Sequence, residues 1–164
     1  MALPRELALE RGQIDEIMAS QWNLRIASIG PRGRINLTPM WFGWAGGKLY
    51  IYGRGQKVVN LRRDPTCSVI VDRNEKFPEL QGIMIQGRAV VLEDPAAEQA
   101  DPHLEEVRAQ MGRKYDGGSG QTPVEHPPPN RATARGRNGR WIVVTPDRTV
   151  TWDNFKLDRL RASD

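Results

Sequence analysis

Short runs of β-branched and aromatic residues, separated by turn residues, occupy residues 22–53 and favour an antiparallel sheet. The runs are WNLRIASIG, INLTPMWFGW and KLYIYG, and the segments PRGR and AGGK lie between them. Glycine and proline in such clusters mark tight turns, and runs of this length between turns are typical of strands. We therefore predict a three-stranded meander over residues 22–53.

Three later runs predict further strands. They are CSVIVD, GIMIQGRAVVLED and WIVVTPDRTVTWD. We expect the second to bend at Gly87 and the third to divide into two strands at Pro146, because proline cannot donate to a sheet ladder. Six or seven strands, joined mostly by short turns, indicate a mainly β protein that forms a small antiparallel barrel.

A few short helices complete the predicted pattern. Apolar residues at helical spacing predict a small amphipathic helix within residues 4–21. A second helix is expected over residues 56–64 and ends before Pro65, because proline disfavours helical geometry in the residue before it. A third helix spans residues 101–115, with an Asp-Pro pair at its start that is typical of a capped helix.

Composition limits the class of protein. The length of 164 residues suits one domain, residues 1–164, and the net charge of +4 permits an anionic ligand without requiring nucleic acid. No apolar run approaches the roughly 20 residues of a membrane-spanning helix, and no signal peptide is recognised. We therefore expect a cytoplasmic protein with no membrane partner.

Side chains that perform chemistry by themselves are few. The two histidines, His103 and His126, lack the spacing of a metal site, and the single cysteine, Cys67, lies in a β-branched run. We expect Cys67 to pack as a small apolar side chain, and we expect no bound metal. The chain contains no nucleophile-elbow, P-loop or GxGxxG motif. If the protein is an enzyme, its chemistry is expected to come from a cofactor.

The stretch YGRGQKVVNLRRDP is the best candidate for an anion site. Arg54, Gly55 and Lys57 lie between the end of a strand and the first turn of the predicted helix. Helix N-termini offer free N–H groups and positive potential, and glycine allows close backbone approach. Solvated surface cations are the alternative. Arg62 and Arg63 are expected only to complement the C-terminal end of the helix dipole.

Four motifs follow one another in a characteristic order along the chain. They are an RIAS-G-RG hairpin, TPMWFGW, a K--NLRRDP helix and a closing TWD--KL. In this order they resemble the pyridoxamine 5'-phosphate oxidase-like split barrels over residues 18–157, most weakly over residues 116–140. Within that superfamily the chain is most similar to the branch that uses the deazaflavin coenzyme F-420, whose known activities include biliverdin reduction.

The resemblance implies a homodimer of six-stranded antiparallel split β-barrels, with two flavin sites in clefts at the interface. Lys57 matches the lysine that contacts the cofactor phosphate, and Arg54 is a second expected contact. Asn60, one helical turn further on, is expected to hydrogen-bond the phosphate or the nearby backbone.

The remaining residues implied by the resemblance come from two strands. Thr38, Pro39, Met40 and Trp41 match the segment that runs along the edge of the cofactor ring. Trp152, in the closing WD pair, matches a residue that approaches the cofactor cleft of the partner subunit. For Trp41 and the aromatic residues after it, packing within the barrel is the alternative.

A reductase that uses coenzyme F-420 is therefore the leading hypothesis. It would transfer a hydride to a planar conjugated molecule, such as a biliverdin-like tetrapyrrole or a quinone. An FMN-dependent oxidase or reductase and a cofactor- or haem-binding barrel without turnover are the alternatives. The sequence does not identify the electron acceptor.

The Gly-, Pro- and Arg-rich segment over residues 116–140 is the longest stretch without a strand or helix pattern. Arg131, Arg135, Arg137 and Arg140 lie in it without an acidic residue among them. Three interpretations are open: a solvated disordered loop, a lid that meets an anionic cofactor tail or substrate, and a non-specific nucleic-acid contact. We do not expect nucleic acid as the partner.

Overall fold

Seven antiparallel strands form one sheet in the computed structural model, which describes residues 5–115 and 139–157. The strands are Leu24–Ile29 (β1), Ile35–Met40 (β2), Gly43–Ala45 (β3), Lys48–Gly53 (β4), Thr66–Arg73 (β5), Gln81–Leu92 (β6) and Arg140–Asp153 (β7). Their order across the sheet is β2-β1-β5-β6-β7-β4-β3. The mainly β class is confirmed, and seven strands agree with the six or seven expected. The three-residue β3 was not predicted as a separate strand, and the predicted division of the last run into two strands is wrong.

The meander predicted for residues 22–53 is wrong. β1 pairs with β2 at one edge of the sheet, whereas β3 pairs with β4 at the other edge. The chain leaves β2 after Met40 and enters β3 at Gly43, so the single strand expected over residues 35–44 is two strands. The reason lies at Phe42, whose backbone N–H donates to the Tyr115 hydroxyl oxygen over 3.1 Å. At Phe42 this tertiary contact takes the place of a hydrogen bond to a neighbouring strand.

The two edges of the sheet approach each other at Gly53, the last residue of β4. A Cβ placed on Gly53 would lie 3.3 Å from Lys57 Cδ and 3.6 Å from Met40 Cε. Met40 is the last residue of β2, at the opposite end of the strand order. The sheet therefore curls until its edges meet, as a barrel requires.

Within residues 5–115 and 139–157, four α-helices accompany the sheet, and three of them were predicted. They are Arg11–Ser20 (α1), Gln56–Arg63 (α2), Pro95–Ala100 (α3) and Leu104–Tyr115 (α4). The short α3 was missed, although Asp94 caps it by accepting a hydrogen bond from the Ala97 N–H over 2.9 Å. Across residues 5–115 and 139–157, the helices are all too short or too polar to cross a membrane.

The core divides into two clusters, one on each face of the sheet. The larger fills the barrel and includes Ile26, Ile85 and Ile142, together with Val58 and Leu61 of α2. Because α2 buries these two side chains, the helix is held firmly against the barrel. The smaller cluster lies under α4 and includes Tyr50, Leu104, Val107, Trp141 and Val143.

Bends occur in β6 and β7 where the sequence predicts them. The register shifts between Gln86 and Gly87, opposite Pro146. A Cβ on Gly87 would lie 2.3 Å from the Thr145 carbonyl oxygen, so the close approach of the two strands needs glycine. β7 nevertheless continues from Arg140 to Asp153 as one strand, because the irregularity is a bulge and not a break.

Cys67 packs in the larger cluster, as expected, with 4% of its surface exposed. Burial raises the pKa of the thiol to about 11, with a smaller contribution from the charge of Asp147. We expect no reaction of the native protein with a disulfide reagent near pH 8, and one equivalent of reaction in denaturant, because the thiolate is the reactive form. Rapid native labelling, followed by thiol absorbance, would contradict this placement.

Candidate functional site

The end of β2 and the start of α2 lie close together in a region that we call the β2–α2 site, defined by Thr38, Met40, Gly53, Arg54 and Lys57. Thr38 and Met40 are half-buried on one face of β2, because alternate strand residues share a face. Met40 Cε and Lys57 Cδ both lie next to Gly53. The structure thus brings together residues from β2, β4 and α2.

Gly55 allows the tight entry into α2. Its φ of +76° is a conformation that residues with a Cβ rarely adopt. No side chain of the described residues caps α2, and the Val58 N–H donates to the Gly55 carbonyl oxygen over 3.0 Å. The N–H groups nearest the helix start are therefore those of Gln56 and Lys57. Arg54 is exposed, and Lys57 Nζ donates to the Arg54 carbonyl oxygen over 3.2 Å, which holds the Lys57 ammonium at this helix end.

Asn60 lies behind the site and not on its surface. Its side chain is fully buried, Nδ2 donates to Ser28 Oγ over 3.3 Å, and Oδ1 accepts from Gln56 Nε2 over 2.8 Å. The amide therefore joins β1 to the first residue of α2. This geometry makes Asn60 a residue that positions the helix, and its expected contact with a phosphate stays a prediction.

Trp41 stacks on an aromatic neighbour at the end of β2. Its ring is parallel to that of Tyr115, with centroids 4.4 Å apart, and meets the Trp22 ring edge-on at 6.3 Å. With 47% of its surface exposed, Trp41 keeps an accessible side. Phe42 is fully buried. This agrees with the alternative that the aromatic residues after Trp41 pack within the barrel. Pro39, between Met40 and Thr38, is exposed on the edge strand, where its missing N–H costs little.

Trp152 lies far from the other candidate residues. It pairs with Gly82, and a Cβ on Gly82 would lie 2.1 Å from Trp152 Cζ2, so the indole packs directly on that backbone. Gly53 pairs with Arg140 at the opposite end of β7. At about 3.3 Å per residue, up to about 40 Å of strand separates the two ends. Within one chain the structure does not bring Trp152 to the β2–α2 site.

Arg62 and Arg63 do more than complement the helix dipole, so that expectation is wrong. Arg62 forms a two-point ion pair with Glu93, with Nε 2.7 Å from Oε1. Arg63 donates to the Ile29 carbonyl oxygen over 2.6 Å. Because both contacts reach residues about 30 positions away in sequence, they attach α2 to the sheet.

Of the two histidines, His103 lies in the described part of the chain. His103 Nδ1 lies 3.9 Å from Glu106 Oε2, and its ring covers Gly46. No group of three or more metal-ligating side chains occurs within residues 5–115 and 139–157. His126 and the arginines at 131, 135 and 137 lie outside the described residues. Arg140 is described, and its Nε lies 3.7 Å from Glu93 Oε2.

A cavity of about 550 Å³ lies between α1, α4 and β3, and the sequence analysis did not anticipate it. Its walls include Trp22, Phe42, Trp44, Arg113 and Lys114. The sequence signal for this cavity is weak. It is the Arg-Lys pair at the end of α4, and such pairs commonly serve to complement a helix dipole.

Lys114 gives the stability of the protein a testable pH dependence. Burial lowers the pKa of its ammonium group from 10.5 to about 8. Between these values the unfolded chain binds more protons at this lysine than the folded protein does, so stability should rise with pH across this window. We expect Lys114→Met to lose this rise, measured as urea unfolding free energy near pH 8 and near pH 10. Equal slopes in both proteins would contradict the placement.

Comparison with known proteins covers nearly the whole chain. The family model described as pyridoxamine 5'-phosphate oxidase matches residues 11–153. A conserved hypothetical protein of Mycobacterium tuberculosis is 25% identical, with a TM-score of 0.75 over 96% of this chain and 93% of that chain. A search of curated proteins found no match.

Two more distant structures share the fold. One is an F-420 reductase, 20% identical, with a TM-score of 0.56 over 83% of this chain and 94% of that one. The other is HutZ, a haem storage protein of Vibrio cholerae, 16% identical, with a TM-score of 0.61 over 87% of this chain and 94% of that one. With the family model matching residues 11–153 and a curled antiparallel sheet that these proteins share, the chain belongs to the pyridoxamine 5'-phosphate oxidase family of split-barrel proteins.

Proposed function

We propose that the protein is a flavin-type oxidoreductase, and specifically a reductase that uses coenzyme F-420 to reduce a planar conjugated molecule. The observation that carries the proposal is the convergence of Arg54 and Lys57 with the open N-terminus of α2, beside the inner face of β2. Cations and free N–H groups at a helix start suit a phosphate. The family supports a flavin-type cofactor, and the sequence resemblance supports F-420 over FMN.

The chain would contribute binding, orientation and charge. When bound, a deazaflavin or flavin supplies the hydride chemistry. Arg54 and Lys57 would neutralise the phosphate, and Gly55 lets the backbone come close to it. Thr38, Pro39, Met40 and Trp41 would border the ring along the edge of β2. Hydride transfer needs positioning more than a side-chain base, which is consistent with the few titratable groups in the β2–α2 site.

We also propose that the protein is a homodimer in solution. β2 is an edge strand on which Ile35 and Leu37 expose 76% and 64% of their surfaces. Apolar side chains in a row on a sheet edge are typical of contact surfaces. Because Trp152 is remote from the β2–α2 site of its own chain, its proposed cofactor contact depends on the dimer. Light scattering after size-exclusion chromatography tests this: a monomer at micromolar concentration would remove both proposals.

A titration with four ligands tests the cofactor. We expect coenzyme F-420 to bind at micromolar concentration or below and FMN to bind less tightly, with riboflavin and haem weaker still. Preferential retention of FMN would favour the FMN-dependent enzyme, and haem retention without hydride transfer would favour a haem-binding barrel. If F-420 binds, oxidation of its reduced form by a biliverdin- or quinone-type acceptor tests the enzymatic activity. Absence of turnover with any acceptor would leave a carrier and overturn the reductase.

A further inference from the structure

The cavity between α1, α4 and β3, which we call the α1–α4 cavity, is separate from the β2–α2 site. Its volume of about 550 Å³ lies in the range of small-molecule sites. Met40 faces the β2–α2 site, whereas Phe42 and Gly43 line the cavity, so the chain between β2 and β3 passes from one to the other. None of the candidate cofactor residues lines the cavity.

Hydrogen bonds between the elements hold the walls of the cavity in place. Trp44 Nε1 donates to Asp15 Oδ1 over 3.0 Å, and the Trp44 backbone N–H donates to Gln110 Oε1 over 3.3 Å. Lys114 Nζ donates to the Met18 carbonyl oxygen over 3.1 Å. These contacts join α1, β3 and α4, so the space is formed before any ligand arrives. A preformed site loses little conformational freedom on binding.

The walls combine flat aromatic surfaces with positive charge. Trp22, Phe42 and Trp44 supply the aromatic side chains, and Lys114 Nζ lies 4.1 Å from the Phe42 ring centroid. Arg113 adds a second cation at the rim. The carboxylate of Asp15 also lines the cavity, and it accepts the Trp44 indole N–H described above.

Poor solvation of Lys114 strengthens the attraction between its ammonium group and an anion. Burial is the cause that lowers the pKa of Lys114 to about 8, so its ammonium group lies where water screens it poorly. In such surroundings the attraction between opposite charges is larger than at an open surface. Capping of the α1 C-terminus explains why Lys114 contacts Met18. It does not explain an open space of this size lined by three aromatic residues and a second cation.

We propose that the α1–α4 cavity binds a small planar aromatic molecule that carries an anionic group, with the ring against Trp22 and Trp44 and the anion towards Arg113 and Lys114. The proposal does not depend on the function proposed above, because the β2–α2 site shares no lining residue with the cavity.

Two fluorescent probes of nearly equal shape test the ligand class. 8-Anilinonaphthalene-1-sulfonate carries a flat naphthalene ring and an anionic sulfonate, and N-phenyl-1-naphthylamine is its uncharged counterpart. We expect one molecule of the anionic probe per chain, bound about fivefold more tightly than the neutral probe, since a partly screened ion pair contributes about 1 kcal/mol. Equal affinity for the two probes, or several molecules bound per chain, would overturn the proposal.

A bulky side chain placed in the α1–α4 cavity tests whether the probe binds there. Ala19 lines it from an exposed position on α1, and Ala96 occupies an exposed position on α3 outside it. Ala19→Trp should weaken the anionic probe at least about tenfold, whereas Ala96→Trp should leave binding unchanged. Wild-type affinity in Ala19→Trp, with its circular dichroism intact, would overturn the location.

A milder variant keeps the test decisive if Ala19→Trp fails to fold. Arg113→Gln should weaken the anionic probe roughly threefold or more and leave the neutral probe unaffected. Saturating FMN should not displace either probe. Loss of affinity for both probes alike, or displacement by FMN, would show that the cavity is not a separate anion-binding site.

Discussion

Replacing Lys57 with glutamine is expected to weaken FMN binding by about ten- to a hundredfold, because a charge-assisted hydrogen bond contributes about 1.5–3 kcal/mol. Lys57 lies at the open start of α2, beside Arg54 and Met40, where a phosphate would meet the cation and the free N–H groups together. Riboflavin lacks the phosphate, so its affinity should change little. Isothermal titration of both ligands measures the difference directly.

The control for this prediction is Lys76→Gln, at an exposed lysine that precedes the turn Phe77–Glu79 and lies outside the β2–α2 site. It should bind both ligands as the wild type does. The same comparison with coenzyme F-420 extends the test to the preferred cofactor, which also carries a phosphate. If Lys57→Gln and the wild type bind FMN equally, the phosphate lies elsewhere and the assignment of the site fails.

Replacing Asn60 with leucine is expected to lower the free energy of unfolding by about 1–3 kcal/mol, because it leaves the buried Ser28 hydroxyl without its partner. Loss of the Gln56 contact should also loosen the first turn of α2. For a chain of this size each kcal/mol lowers the melting temperature by about 2–4 °C. Thermal unfolding followed by circular dichroism measures it.

A double-mutant cycle separates the hydrogen bond from the change in volume. Ser28→Ala combined with Asn60→Leu should cost less than the sum of the single substitutions, because the second change removes the group that the first leaves unpaired. Asn23→Leu, at an exposed position before β1, serves as the matched control and should change stability little. Strict additivity in the cycle would mean that the Asn60–Ser28 contact carries no coupling energy.

Local pattern was enough to predict most elements of this fold. The strands β4, β5 and β6, the helices α1, α2 and α4, and the bends at Gly87 and Pro146 follow from nearby residues, because turn signals and apolar spacing act within a few positions. The predicted division of β7 into two strands is wrong, because the bulge opposite Gly87 bends the strand without ending it. The pairing of strands with one another was predicted less well. The neighbours of β2 and β3 depend on how the whole sheet curls, and short apolar runs do not specify a partner strand.

Some residues of the candidate site could likewise be predicted from the sequence, whereas the positions of others could not. The two cations and the glycine at the start of α2 lie within residues 54–57, so their pattern could be recognised directly. Asn60 also matches a motif, but its burial against Ser28 joins residues 32 positions apart. For Trp152 the sequence motif was misleading about a single chain. The motif assigned this residue to a cofactor cleft, but the structure places it at the far end of β7, away from the β2–α2 site.

From the sequence alone come the mainly β class, the helix α2 and the cations at its N-terminus, because each depends on residues that are neighbours along the chain. Tertiary structure alone decided that Met40 meets Lys57 beside Gly53, that Tyr115 holds Phe42 between two edges of the sheet, and that Lys114 reaches α1 to enclose a cavity. The last two contacts join residues 73 and 96 positions apart. Such contacts form only when the sheet has curled and α4 has packed against it, and no local pattern encodes that geometry.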